Sequence, residues 1–497
     1  MSLQSSFNTN KFFNFTGQIG DLAHSEIRVV EANCSLKKAS QYLMNPEIDY
    51  LIVEENNIPI GMLSKSELLA HGISHEKDLS QAIKGIMNEQ LVSVQKNDAV
   101  LDSLMFMLKH KLDYLLVMDG DIAHGIITQK DWLSVQVNYP IPLIKKLEIA
   151  TSVHQVAKLR QKAKKIVWDN FIQEGDVIAL TNIVTVINDA ITKRIIQLSL
   201  DRMQAIGHGI PPVSFAWIGM GSEGRKAQTV RTDQDNGLIF ENVPEEKYDT
   251  VKKWFLEFAD IVCKGLDICG FPLCEGNVMA TNPDLCNSVD KWGDLFKKII
   301  GKADAEELLE ASIYFDFRCI YGNQNHALQL WDKLFEYIEI NQFFMKEFAQ
   351  NILEASRPPI KKIAWHLPEW FNIKPAPFDI KREATAPLDA AMRVLALQHG
   401  ISVTHTLERL EKIMELGYIS KSLADEVKKA FDFVMRLRFR LEFNMKDEKN
   451  ISHEIDPKTL IPLQVRNLKD ALKTIYELQD YVYMHITGQH RVPWAMR

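Results

Sequence analysis

The sequence predicts a multidomain α+β protein from three observations: an internal repeat near the start, an acidic strand–turn–helix–strand segment in the middle, and long helical periodicity through the remainder. A chain of 497 residues has room for three or four domains at about 100–200 residues each. An apolar share of 46% with 25% charged residues excludes a disordered or fibrous chain. The formal charge of −7 argues against a protein that coats a polyanion, so nucleic acid is not an expected partner. Met1 to Gly17 lacks an apolar leader core, and no stretch approaches the ~18 uninterrupted apolar residues of a membrane span; a cytoplasmic protein away from membranes is expected. Six cysteines without a CxxC pair fit a reducing compartment and buried thiols. The spacing of Cys263, Cys269, Cys274 and Cys286 lacks the paired rhythm of a zinc ribbon.

The repeat comes first. A shift of 64 positions superposes Val30–Leu69 on Val94–Leu133 without a gap, matching Asp49-Tyr50-Leu51 with Asp113-Tyr114-Leu115 and Gly61-Met62-Leu63-Ser64 with Gly125-Ile126-Ile127-Thr128. Each copy predicts helix, strand, tight turn, strand, helix, with Glu55-Asn56-Asn57 and Asp119-Gly120-Asp121 as the turns. The pair resembles tandem cystathionine-β-synthase (CBS) domains, expected over residues 18–79 and 80–138. That resemblance implies a cleft for an adenine nucleotide such as AMP or ATP. The family's ribose-holding stretch is matched by Gly125 to Asp131, with Thr128 and Asp131 in the key places, while the first copy substitutes Ser64 and Glu67. Ser64 and Glu67 also spell a capping box, and Thr128 with Asp131 resembles one, so either pair can serve a helix start without any ligand.

Pro140 and Pro142 mark a boundary. Residues 139–207 predict a helical linker, a hairpin interrupted near Gln173-Glu174-Gly175, with Val184, Ile187, Ile191, Ile195 and Leu198 at helical spacing. Such a hairpin serves as a spacer, or as a relaying or dimerising element; a homodimer is expected.

Residues 208–325 carry the chemistry. The apolar run Val213–Ile218 leads into Gly219-Met220-Gly221-Ser222-Glu223-Gly224-Arg225, then Asp233-Gln234-Asp235 and Leu238-Ile239-Phe240. A Gly-Ser turn opening a helix presents unpaired N–H groups and a hydroxyl, a combination suited to phosphate oxygens. Asp233 and Asp235, two apart on a predicted strand, leave one face together. At ~4 Å their repulsion is about 4 kcal/mol at an effective dielectric of 20, a cost that a divalent cation removes. Magnesium bridges carboxylates to substrate phosphates, so nucleotidyl transfer is the predicted reaction.

These residues look like the polymerase-β-type nucleotidyltransferases. The longer string from Gly221 to Arg225, with Gln228 and Thr232-Asp233-Gln234-Asp235-Asn236, is similar to the PII-protein uridylyltransferase branch, and tandem CBS repeats are a companion of its signal-transduction members. The resemblance implies that Gly221 and Ser222 hold the triphosphate, that Asp233 and Asp235 are catalytic and hold Mg2+, and that Arg225 makes a phosphate or structural contact. Arg231 either grips phosphate or neutralises the two acids. A third acid is expected on a later strand at Asp316, for which a buried Asp316–Arg318 pair is the alternative. In the loop Cys274 to Ala280, Asn277 stands at a position often taken by glycine.

Residues 326–497 predict a helical bundle punctuated by prolines, with Leu388, Ala391 and Leu395 as an apolar stripe. This part resembles the substrate-binding domain attached to that branch. Lys381 and Arg382 are candidates to contact substrate, and Arg409, Arg436 and Arg440 are further basic residues that either face it or are ordinary solvated charge. The expected protein is a Mg2+-dependent nucleotidyltransferase that passes a uridylyl or adenylyl group from a nucleoside triphosphate to a regulatory protein such as a PII-like protein. Adenine nucleotide at the CBS pair would regulate it. The alternative is a noncatalytic nucleotide-sensing interaction protein with a degenerate transferase site.

Overall fold

The repeat folds twice into the same small sheet, and the register repeats with it. In the first copy β1 (Arg28–Glu31) pairs parallel with β2 (Tyr50–Glu55), which pairs antiparallel with β3 (Ile58–Ser64). In the second, β4 (Ser93–Gln95), β5 (Tyr114–Asp119) and β6 (Ile122–Thr128) repeat the order. Even the irregularity recurs, at Val53/Glu54 and again at Val117/Met118, the same 64-residue offset. Asn56 and Gly120 take positive φ at 56° and 64° and so close the two hairpins. The leading strands β1 and β4 are additions to the expected pattern; they are too short for periodicity to show. Leu36, Ala39 and Leu43 of the helix Leu36–Leu43 pack on Leu51, Val53 and Leu63 to make the first core.

The computed structural model describes residues 18–489 apart from 22, 24–26, 46–47, 57, 74–79, 99, 129–140, 173–176, 303–307, 309–311, 342, 359–377, 445–452 and 457–458. The chain divides into two units, Met1–Tyr139 and Pro140–Arg497.

The second unit is built on a four-stranded sheet in the order β10-β7-β8-β9, formed by β7 (Phe215–Gly219), β8 (Asn236–Phe240), β9 (Cys286–Ser288) and β10 (Arg318–Gly322). All of β7 and β8 is buried because helices cover both faces. Phe255 and Phe258 of the helix Glu245–Ile268 pack on Phe215 with ring centroids 5.4 and 5.6 Å away. On the other face Trp292 of Val289–Lys302 lies over Gly237 and donates its indole N–H to Leu238 O at 2.9 Å.

The hairpin expected as a linker is present, as Val153–Ile172 and Val177–Ala205, but it is fastened to this sheet and is not a free-standing spacer. Arg160 donates to Cys269 O at 3.1 Å and lies 4.0 Å over the Phe271 ring. Arg318 grips Asp189 through both terminal nitrogens, at 2.8 and 2.6 Å. The buried Ile187, Ile191 and Ile195 supply the apolar side of the contact.

The C-terminal part of the unit is the expected helical bundle, Gln324–Ile340, Phe344–Ala355, Ala386–Gln398, Thr406–Glu415, Lys421–Asn444 and Pro462–Thr487, with a two-stranded pairing of β11 (Phe378–Asp379) and β12 (Glu454–Ile455) beside it. Among the described residues no helix is long and apolar enough to cross a membrane.

Candidate active site

The Gly-Ser turn begins where β7 ends. Met220 donates its N–H to Asp235 O at 2.7 Å, which ties the turn Gly221–Gly224 to the acidic segment. Gly221 has φ +54°, and a Cβ there would lie 2.7 Å from Asp235 Oδ2, so glycine alone lets the carboxylate rest against the turn. Gly224 is fixed differently: a Cβ would fall 1.8 Å from Asp316 O. Ser222 is 8% exposed at the start of the turn, where the first N–H groups have no carbonyl partner inside the helix.

Asp233 and Asp235 lie in the extended segment just before β8, rather than on the strand as expected, but the alternation survives. Gln234 between them points into the core and donates through Nε2 to Cys263 O at 3.0 Å and Phe271 O at 2.8 Å. Its two neighbours therefore turn the other way. The loop after Phe271 is zipped to the same segment, since Gln234 N donates to Pro272 O and Asn236 N to Val278 O, both at 3.1 Å. Asn277 adopts φ +55° in the turn closed by its own N–H on Cys274 O, which accounts for the glycine-like position seen in the sequence. This turn brings Cys274 Sγ to 3.6 Å from Asp235 Oδ1. One donor atom from each of Asp233, Asp235 and Cys274 lies within 4.8 Å of the others.

The charge balance here is negative. Burial, followed by the charge of Asp233, pushes the Asp235 carboxyl up to about 7, against the opposing influence of Lys381, the Cys274 hydrogen bond and Arg225. Glu223, 7% exposed, is pushed up to about 8, mainly by burial; Arg318 opposes the shift, while Asp189, Asp235 and Asp233 add to it. Carboxylates gathered beyond what neighbouring cations offset, with oxygen donors converging, fit a hard divalent cation.

Asp316 has a different place from the one expected. It lies between the turn Ser312–Phe315 and β10, fully buried, and both its oxygens are occupied by arginines. Arg225 Nη1 donates to Oδ2 at 2.7 Å, Arg393 donates to Oδ2 through Nε and Nη2 at 2.9 and 2.6 Å, and Arg409 Nη1 donates to Oδ1 at 2.7 Å. Three guanidinium groups outweigh the burial and hold its carboxyl well below the usual range. It is therefore a structural anion and not an acid free to take a proton. Its partner is also not Arg318, which is engaged with Asp189. Arg225 is likewise committed, its second arm meeting Asp389 at 3.0 Å.

Other expected residues scatter. The Arg231 backbone N–H donates to Glu442 Oε2 at 3.2 Å, and the same carboxylate takes the Thr229 hydroxyl at 2.6 Å. Lys381 acts electrostatically on Asp235, whereas Arg382 is exposed and its N–H donates to Asp379 Oδ1 at 2.9 Å. Arg436 is paired with Asp432 along its own helix and Arg440 is exposed. In the repeat unit, Ser64 and Glu67 form a reciprocal capping box, Ser64 N to Glu67 Oε2 at 2.7 Å and Glu67 N to Ser64 Oγ at 3.1 Å. Thr128 closes β6, and Asp131 lies outside the described residues.

Sequence reasoning missed Arg393, Asp389 and Glu442 as supports of the turn. One signal was present: Asp389 and Arg393 interrupt the apolar run Leu388–Leu397 four residues apart, which in a helix buried all round marks ions that must find partners inside.

Comparison with known proteins finds three family models along the chain, and the second of them in chain order begins inside the helical hairpin rather than after it. Residues 161–306 match the family described as "Putative nucleotidyltransferase DUF294", residues 342–486 match "Putative nucleotidyltransferase substrate binding domain", and residues 19–74 and 83–138 match the CBS domain. An uncharacterized protein of Methanocaldococcus jannaschii is 24% identical over 120 residues, 24% of this chain and 39% of that one, so the match spans well under half of that relative. Among solved structures, an uncharacterized conserved protein from Pyrococcus horikoshii is 20% identical over 25% of this chain and 95% of its own, with a TM-score of 0.23. CBSX2, solved in complex with AMP, is 21% identical over 24% of this chain and 96% of its own, with a TM-score of 0.22.

Proposed function

Because this chain joins a CBS domain pair to a DUF294 nucleotidyltransferase domain and its C-terminal substrate-binding domain, we propose that it transfers a uridylyl or adenylyl group from a nucleoside triphosphate to a regulatory protein of the PII-like kind, with Mg2+ held by Asp233 and Asp235. The observation that supports this reading is the closeness of Asp235 Oδ2 to Gly221, where an added Cβ would meet it at 2.7 Å. When bound, Mg2+ would neutralise phosphate charge and orient the triphosphate. The turn N–H groups and the Ser222 hydroxyl donate to phosphate oxygens, and Lys381 adds positive charge that acts on Asp235. Arg231, a further candidate phosphate contact, is anchored through its backbone N–H to Glu442. The acceptor hydroxyl attacks the α-phosphorus, the new O–P bond forms as the α–β bridge breaks, pyrophosphate leaves and the hydroxyl proton passes to solvent. Arg225 and Asp316 support the turn through their ion pairs and touch no phosphate in this reading. Adenine nucleotide at the repeat unit, with Thr128 as its ribose contact, would regulate the reaction.

The test incubates the protein with each α-labelled nucleoside triphosphate, Mg2+ and a cell lysate, alongside Asp233→Asn and Asp235→Asn. A labelled band should appear with one base and fall at least about 100-fold in either variant, as losses of a transition-state charge partner do. Equal labelling by parent and variants would end the catalytic assignment, and triphosphate binding without labelling would favour a sensing role.

A further inference from the structure

We propose that Cys274 is the third donor of the metal centre, so that a thiophilic dication of the Zn2+, Co2+ or Cd2+ class binds Asp233, Asp235 and Cys274 together and holds the transferase off. This rests on the metal reading of the two aspartates given above. Magnesium takes oxygen ligands and leaves sulfur alone, whereas thiolate selects softer ions.

The geometry supplies the argument. A tetrahedral ion with Zn–S near 2.3 Å and Zn–O near 2.0 Å separates its sulfur and oxygen ligands by about 3.5 Å. Cys274 Sγ stands 3.6 Å from Asp235 Oδ1, and the Asp233 donor completes a triangle with no edge beyond 4.8 Å. Neither the thiol nor the carboxylates need to move far to share one ion. The turn that presents the thiol is fixed at both ends, by Pro272 O on Gln234 N and by Val278 O on Asn236 N, so the fold holds the Cys274 backbone beside the two aspartates. Cys274 is half-buried and Asp233 is also reachable, which leaves an entry path, while Asp235 is 7% exposed. The other five cysteines have no such company, since this is the group of three metal-capable side chains found among the described residues.

Binding exchanges one bond for another: the thiol S–H gives its proton to solvent as the sulfur–metal bond forms, and no oxidant is required. With Mg2+ the thiol remains protonated and donates to Asp235. The same three residues thus discriminate between an ion that works with a triphosphate and one that occupies the acids in its place.

The full chain is titrated with Co2+ and Cd2+ in the near ultraviolet, where a sulfur-to-metal charge-transfer band reports a thiolate ligand. The band should appear at one equivalent, persist in Cys34→Ser and vanish in Cys274→Ser. Zn2+ affinity by competition should fall at least about tenfold in Cys274→Ser, the floor set by groups that merely support ligands. For a variant that fails to fold, the parent answers directly: Zn2+ should protect Cys274 from iodoacetamide, read by peptide mass, and Mg2+ should not. No band in the parent, or a band unchanged in Cys274→Ser, or equal alkylation with and without Zn2+, overturns the thiolate ligand. A band present without any nucleotidyl transfer would instead leave the ligand standing and remove the proposed reaction.

Discussion

Asp235 and Asp316 are both buried aspartates, yet their surroundings drive them in opposite directions. For Asp235 the native value of about 7 lies above the ordinary 3.8. Ionisation therefore costs the folded state more than the unfolded one, and stability declines as pH rises from about 4 to about 7, then levels off, by as much as ~4 kcal/mol. Without divalent cation, Asp235→Asn should be more stable than the parent at pH 8, with the difference closing toward pH 4 in urea unfolding. Added Mg2+ should raise the parent's midpoint at pH 8 and do little at pH 5. Asp316 has the opposite sign. Its depressed native value gives stability that is fully present above about 4 and disappears as pH falls through that native value. Asp316→Asn leaves three buried guanidinium groups short of a counter-charge and should cost about 3–5 kcal/mol at pH 7. A loss under 1 kcal/mol would mean that the arginines find other partners.

The turn Gly221–Gly224 depends on residues far along the chain. Thr404 donates its hydroxyl to Gly224 O at 2.6 Å, Asp389 and Asp316 fix Arg225, and Glu442 fixes Thr229 and Arg231. Residues of the C-terminal half thus shape the Gly-Ser turn. Thr404→Val leaves a buried carbonyl unpaired and should cost about 1–3 kcal/mol, with transferase kcat falling more than KM changes for the triphosphate. A variant with full kcat would detach the bundle from the turn's geometry. Much of this level was legible beforehand: the repeat offset predicted two matching sheets, and the broken apolar spacing predicted the hairpin Val153–Ile172 and Val177–Ala205. The strand expected at Asp233 begins only at Asn236, because its partner β7 ends at Gly219 and turns into Gly221–Gly224, leaving only the Met220 N–H on Asp235 O beyond the ladder. Periodicity registers side-chain direction, which is the same for an extended coil and a strand.

At the scale of the whole chain, the two units carry separate expectations. Isothermal titration with AMP and ATP should show binding that weakens in Thr128→Ala, while Ser64→Ala, which removes a capping oxygen, should lower the unit's melting temperature with little change in affinity. Equal affinity in parent and Thr128→Ala would reject the ribose contact. The sequence by itself determined the repeat, the order of turn and acids, and the helical character of the C-terminal half, because the repeat is a direct self-match of the sequence and the others are local patterns of apolar spacing, turn residues or charge. Only the tertiary structure decided which charges meet. Asp316 finds Arg393 and Arg409 at separations of 77 and 93 residues, and Thr229 finds Glu442 at 213. Pairings over such distances are selected by packing, since a buried charge must be met by whichever opposite charge the fold brings beside it, and no local pattern records that choice.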